Sequence, residues 1–316
     1  MRRLWLAAAF AVMAGIALWS GPRPFAGSGY RVVHGWPQAP EGAPFAGVAG
    51  VDVDSRNRVF IFQRTDPPIL CFDGTTGKLL ASWGEGRFTE AAHGLEVDPR
   101  DNVWVVDVSH HQVFKFSPRG ELLMTLGTRG TPGLGPALFN KPTDVAVARN
   151  GEIYVADGYV NSRVAKFSPE GKFLMDWGSK GDRPGQLNTP HGIAVDGQGQ
   201  VYVADRGNQR VQVFDGMGTL LRHWSSPRMR RPWGLDIAAD GSVYVADGGD
   251  LVHRDKKERI LKFSPEGRLL DLWGSFGRYD GQFYWAHDVA VSPTGDVYVC
   301  DVLGRRVQKF VAGPSG

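Results

Sequence analysis

The chain is poor in cysteine, with two residues in 316, and poor in histidine, with eight. Two cysteines as far apart as Cys71 and Cys300 exclude a disulfide-stapled scaffold; they form one bridge or remain buried thiols. An excess of one charge is also lacking, since 36 Lys and Arg against 33 Asp and Glu leave a net charge of +3. That balance offers no field for a polyanion, so no nucleic-acid partner is expected. The basic run "RHWSSPRMRR" (222–231) lacks regularly interleaved aromatics and reads as a solvated loop. No long 3.6-residue periodicity occurs, so helices should be few. Only one long uncharged apolar run exists, "LWLAAAFAVMAGIALW" (4–19), directly behind "MRR". Residues 1–29 are therefore expected to be an export signal, or an uncleaved N-terminal membrane anchor, with a short linker. The remainder would be exported, to a periplasm or beyond the cell.

What is abundant is glycine, 42 residues, set in short recurring phrases. The fullest are "KPTDVAVARNGEIYVADGYVNSRVAKFSPEGKFLMDWG" (141–178) and "TPHGIAVDGQGQVYVADRGNQRVQVFDGMGTLLRHW" (189–224). Each holds four β-branched or alternating runs separated by Gly, Asp and Asn turns. A four-strand repeat of roughly 40–50 residues reads as one blade of a propeller. Aligned on their first strands, the phrases share six anchor positions: Ala49, His93, Thr143, His191, Trp233 and His287. The expected fold is an all-β, six-bladed β-propeller over residues 30–312, with a tail at 313–316. The last copy supplies only three strands, and "YRVVHGW" (30–36) is expected to add the fourth, closing the ring.

The anchors carry the first chemical signal. Histidine fills three of the six, in "AAHGLEVD" (91–98), "TPHGIAVD" (189–196) and "WAHDVAVS" (285–292), and these are alternate blades. A single histidine opening a strand usually caps something local. First strands of a propeller line its channel, however, so alternate anchors form a triangle about the axis. Three converging imidazoles match the three-ligand, open-position arrangement of a catalytic zinc site.

Second strands end on the same face of the ring. The aspartates there, Asp107, Asp157, Asp205, Asp247 and Asp301, recur in five of six blades and so belong to the blade framework, with Arg163 and Arg210. Arg64, Tyr159 and Arg206 break the pattern. Two guanidinium groups and a phenol beside a metal suit an anionic substrate, gripped by arginine and deprotonated by a tyrosine base.

These residues resemble those of the NHL-repeat propellers and, within them, the peptidyl-α-hydroxyglycine α-amidating lyases. The resemblance spans about 47–312 and rests on "GVDVDSRNRVFIFQR", "HGLEVDPRDNVWVVDVSHHQVFKF", "PHGIAVD" and "AHDVAVS". It implies cleavage of peptidyl-α-hydroxyglycine to a peptide amide and glyoxylate. It further implies His93, His191 and His287 as zinc ligands, Tyr159 as base, Arg64 beside that base and Arg206 at the substrate. A structural calcium is implied at the backbone carbonyls of Val51 and Leu95 and the carboxylate of Asp288, a hard-oxygen set. The implied partner is a small peptide or another α-hydroxy-amide, met by a monomer. Two departures stand out: Val160 replaces a cysteine found beside the tyrosine in animal members, and no copper monooxygenase is in this sequence. The competing reading is a non-catalytic exported propeller binding a protein or glycan, with Trp233 and Trp285 as its exposed aromatics. A lactonase-type propeller ranks third, because its calcium wants carboxylates and amides in place of three imidazoles.

Overall fold

A computed structural model describes residues 29–38, 45–249 and 256–313. These form six four-stranded antiparallel sheets in a ring. The innermost strands are Gly50–Val53, Ala92–Val97, Asp144–Val147, Pro190–Val195, Pro232–Ile237 and Ala286–Val291. Each packs against the next around the axis, and the sixth packs against the first. Five of the six second strands, such as Val201–Asp205 ("VYVAD"), are buried at every position because a neighbouring blade covers each face; Arg58–Phe62 is half-buried at Arg58 alone. Outer strands such as Phe173–Trp177 alternate between half-buried and exposed, as expected at a rim with one wet side. Hydrophobic cores lie between blades: Phe60, Phe62 and Cys71 of the first meet Val103, Val105 and Phe116 of the second. Helix is reduced, among the described residues, to one 3-10 turn at Arg206–Asn208.

Ring closure occurs where the repeats place it. Tyr30–Val32 pairs antiparallel with Arg306–Ala312, Tyr30 opposite Ala312 and Val32 opposite Phe310. The strand is shorter than the expected 30–36. Gly35 takes a φ of 72° and turns the chain away, leaving Trp36 to pack 4.7 Å from the Tyr298 ring. Tyr30 holds the seam through a stack on Trp273 at 4.5 Å and a 2.7 Å hydrogen bond between its hydroxyl and that of Tyr244. Tyr30→Ala is expected to lower stability by at least about 1.5 kcal/mol, from lost apolar burial alone. Thermal melting checks this, and an unchanged midpoint would remove the strand's closing role.

Both cysteines are free and buried in adjacent blades. Burial pushes the Cys71 thiol up to about 12 and raises Cys300 as well, so neither is a reactive thiolate at neutral pH. The apolar run at 4–19 and residues 314–316 lie outside the described residues. Among those described, no helix is long and apolar enough to cross a membrane.

Candidate metal centre and active site

His93, His191 and His287 stand at the channel mouth, each buried, with one ligand nitrogen apiece within 4.8 Å of the other two. Their ring centroids are separated by 4.6, 4.7 and 5.1 Å. Main-chain carbonyls of the next blade orient each ring. His93 Nδ1 lies 2.6 Å from the Thr143 carbonyl, His191 Nδ1 3.1 Å from that of Trp233, and His287 Nδ1 2.7 Å from that of Ala49. The acceptors are the three anchor positions that lack histidine. A carbonyl only accepts, so each Nδ1 carries the proton and each Nε2 keeps a lone pair directed to the axis. Burial holds His93 and His191 well below the usual histidine range, and His287 at about 3, with nearby Arg64 and Arg206 adding to the effect. Three neutral imidazoles with converging lone pairs are a cation-binding donor set.

The glycines after two of the histidines follow from crowding at the axis. A Cβ on Gly192 would lie 2.6 Å from the Trp233 carbonyl oxygen, the acceptor of His191 Nδ1. One on Gly94 would lie 2.2 Å from Asp144 Oδ1. Any side chain there would push apart the strands that carry the ligands.

Tyr159 places its hydroxyl 2.9 Å from His93 Nε2 and 3.2 Å from His191 Nε2. One phenolic proton serves at most one of these lone pairs, so at least two of the three Nε2 lone pairs stay available to a cation. Burial pushes the phenol above its ordinary value, while Arg206, Arg64 and Arg231 pull it down without prevailing. Arg206 is the strongest of these three influences, and the arginines alone leave the phenol protonated. Arg64 is half-buried and donates from Nε to the Ala92 carbonyl at 3.2 Å, just before His93. Arg206 is buried, its guanidinium 5.4 Å from the Tyr159 ring centroid and 4.1 Å from that of Trp233. Its Nε and Nη1 are buried without an acceptor. Stacking on an indole offsets part of the cost of burying this charge, about 0.5–2 kcal/mol.

Trp233 is not the exposed aromatic of the binding-propeller reading. It is 5% exposed, packed edge-on against His191 at 4.5 Å and Trp285 at 5.0 Å, with Nε1 donating to the Gly248 carbonyl at 2.6 Å. Trp285 is itself half-buried.

The framework aspartates behave as the repeat suggests. Asp157 and Asp205 pair with Arg163 and Arg210 at 3.0 and 2.7 Å and accept the amides of Asn140 and Asn188. The run at 222–231 is a solvated loop only in part: Ser225, Pro227 and Arg228 are exposed, while Arg222 lies in the outer strand Leu220–Trp224. Arg222 is anchored on Gln200, Tyr202 and the Pro265 carbonyl, and Arg231 leans over Trp233 at 5.6 Å. Local composition hid Arg231; its register, two residues before an anchor and matching Trp285, was the available signal.

Beneath the histidines a void of about 10 Å³ is lined by Asp144, Asp288 and the anchor residues. Asp288 Oδ2 accepts the Val51 amide at 3.1 Å, and a Cβ on Gly50 would lie 2.8 Å from Leu95 N, so Val51, Leu95 and Asp288 share one sector of the channel. Sequence reasoning missed the companions Asp52, Glu96, Asp144 and Asp236. Burial raises all of these carboxyls, Asp144 to about 8, together with Asp288. Asp52, Asp144 and Asp236 each accept an amide of the following blade, from Val97, Ile193 and Val291, and so tie neighbouring blades together at the axis.

Comparison with known proteins identifies the repeat and the relatives. The NHL repeat matches residues 139–167, 187–214 and 283–310. Peptidyl-alpha-hydroxyglycine alpha-amidating lyase 1 of Drosophila melanogaster is 36% identical over 268 residues, covering 77% of this chain and 48% of the fly protein. Peptidyl-glycine alpha-amidating monooxygenase B of Xenopus laevis is 36% identical over 276 residues, covering 82% of this chain and 31% of the frog protein. The chain thus spans about half and about a third of these relatives. A streptogramin B lyase structure shares the fold, with a TM-score of 0.62 at 15% identity, over 85% of this chain and 95% of that one. The chain is an NHL-repeat six-bladed propeller, homologous over most of its length to the peptidyl-α-hydroxyglycine α-amidating lyases.

Proposed function

We propose that this propeller is an exported, zinc-dependent lyase that cleaves the C–N bond of a peptidyl-α-hydroxyglycine, or a related α-hydroxy-amide, to an amide and glyoxylate. The observation that carries the reading is the Tyr159 hydroxyl, within hydrogen-bond reach of two of three converging histidines and flanked by a buried, unpaired arginine. The donor set fits zinc: three neutral imidazoles, each fixed by a carbonyl acceptor, leave a fourth position open. Bound there, zinc supplies a Lewis acid that makes a carbinol hydroxyl easier to deprotonate.

The protein's own groups then have definable tasks. Tyr159 Oη takes the hydroxyl proton; the C–O bond becomes a carbonyl as the C–N bond breaks. The departing amide nitrogen needs one proton, and the same phenol is placed to return it, so the reaction balances without a co-reactant. Arg206 presents buried, unsatisfied donors to the substrate carboxylate, and Arg64 adds positive charge near the phenol. Arg206→Ala is expected to raise KM for carboxylate-bearing substrates by about 10–100-fold, the worth of a hydrogen bond to a charged group. Steady-state kinetics decide, and an unchanged KM would remove Arg206 from the substrate. The reading as a whole is tested by incubating zinc-loaded protein with a synthetic N-acyl-α-hydroxyglycine and measuring glyoxylate.

Calcium is proposed for the channel below, at the Val51 and Leu95 carbonyls and the Asp288 carboxylate, where a divalent cation would offset the burial and the repulsion among crowded carboxyls that raise Asp288. A calcium chelator is therefore expected to lower the melting temperature of the wild type and to leave that of Asp288→Ala unmoved. Equal shifts in both proteins would dismiss this site.

A further inference from the structure

We propose that Arg231 is a specificity-determining residue, forming with Arg206 a two-guanidinium pocket that demands a free carboxylate on the carbinol carbon. The lyase reading supplies only the identity of this anion; the pocket itself is read from the geometry.

Arg231 is held by its backbone at the rim of the site. Its amide donates to Asp247 Oδ1 at 2.6 Å, and its carbonyl accepts the Gly248 amide at 3.3 Å. The side chain extends over Trp233, 5.6 Å from the ring centroid, while Arg206 lies 4.1 Å from the same ring. Trp233 cannot readily turn away, because its Nε1 is bonded to Gly248 and its edge packs on His191. One fixed indole therefore gathers two like charges beside a candidate metal ligand.

Among the described residues, no side chain of opposite sign balances them: no carboxylate forms an ion pair with Arg206, Arg231 or Arg64, and Arg206 Nε and Nη1 find no acceptor. In the framework the opposite rule holds, since Arg163, Arg210, Arg259 and Arg306 all meet an aspartate. Arg231 also departs from its blade equivalents, which are Gly47, Ala91, Lys141, Thr189 and Trp285. Two guanidinium groups with no carboxylate partner among the described residues, one of them buried, are stabilised when an anion joins them, and a planar carboxylate presents two oxygens to such a pair. A carboxamide or an ongoing peptide bond would leave both cations unpaired, and that penalty is the discrimination.

The test is calorimetric binding of glyoxylate and of its neutral counterpart glyoxylamide to the zinc-loaded protein. Wild type is expected to favour the acid, and Arg231→Gln to weaken glyoxylate about 10–100-fold while leaving glyoxylamide alone. Arg231→Lys, which keeps the charge, should recover part of the loss. A wild type that binds both alike, or an Arg231→Gln that loses both in proportion, overturns the proposal. The two readings separate cleanly: acid-selective binding that needs Arg231, without glyoxylate release from an α-hydroxyglycine, sinks the lyase and leaves this pocket. Release by a protein whose Arg231→Gln variant binds glyoxylate like wild type does the reverse.

Discussion

His191→Ala is expected to abolish stoichiometric zinc binding and glyoxylate release together. The triad has three nitrogen donors and no carboxylate or thiolate among the described residues to replace a lost one. Two imidazoles cannot keep a tetrahedral set, so affinity should fall by orders of magnitude and not by degrees. His191 is the most exacting of the three to remove, because its ring packs against both Tyr159 and Trp233, and Trp233 in turn stacks on Arg206. Metal analysis after dialysis against a weak chelator reads occupancy, and circular dichroism checks that the propeller persists. Folding should survive, since the blades are held by cores between sheets and not by the triad. A folded variant that retains about one zinc per chain would show that the histidines are not its ligands.

Tyr159→Phe is expected to lower kcat by about 10²–10⁴ with zinc retained, the usual consequence of losing a general base. The substitution removes one oxygen and keeps the ring against His93 and His191, at centroid distances of 5.4 and 5.6 Å. Local packing should therefore hold. The pH dependence carries its own sign. Burial keeps the phenol protonated at neutral pH, and Arg206 and Arg64 favour its ionised form. Activity should rise with pH along the acidic limb, and Arg64→Ala should move that limb to higher pH, since one influence favouring the phenolate is gone. A Tyr159→Phe variant with wild-type turnover would assign the proton to another group.

The sequence makes the ring legible because each blade repeats a period-2 pattern and a turn at fixed offsets, and six copies place six anchors on one circle. His93, His191 and His287 stand out because they interrupt that repetition at matched positions, and Arg64, Tyr159 and Arg206 for the same reason. The short closing strand Tyr30–Val32 is legible as the piece missing from the last copy. What sequence does not reveal is carried by the main chain or by register. The acceptors that set the histidine tautomers are carbonyls of Ala49, Thr143 and Trp233, and a carbonyl leaves no mark on residue identity. Arg231 was lost in a basic run whose composition suggests solvent, although its place two residues before Trp233 sets it over the site. Trp233 was misjudged for a related reason: an indole opening a strand reads as exposed until the neighbouring blade covers it. The direction of the Tyr159 shift depends on how far burial outweighs three arginines, a balance that only geometry supplies.

The central claim is that zinc at the histidine triad makes this propeller a lyase, and titration of metal-free protein with zinc tests it most directly. Glyoxylate release from an N-acyl-α-hydroxyglycine is expected to be absent at the start, to rise in proportion to added zinc and to level off at about one equivalent per chain. Full activity in the metal-free protein, or one equivalent of tightly bound zinc with no glyoxylate released, would contradict it.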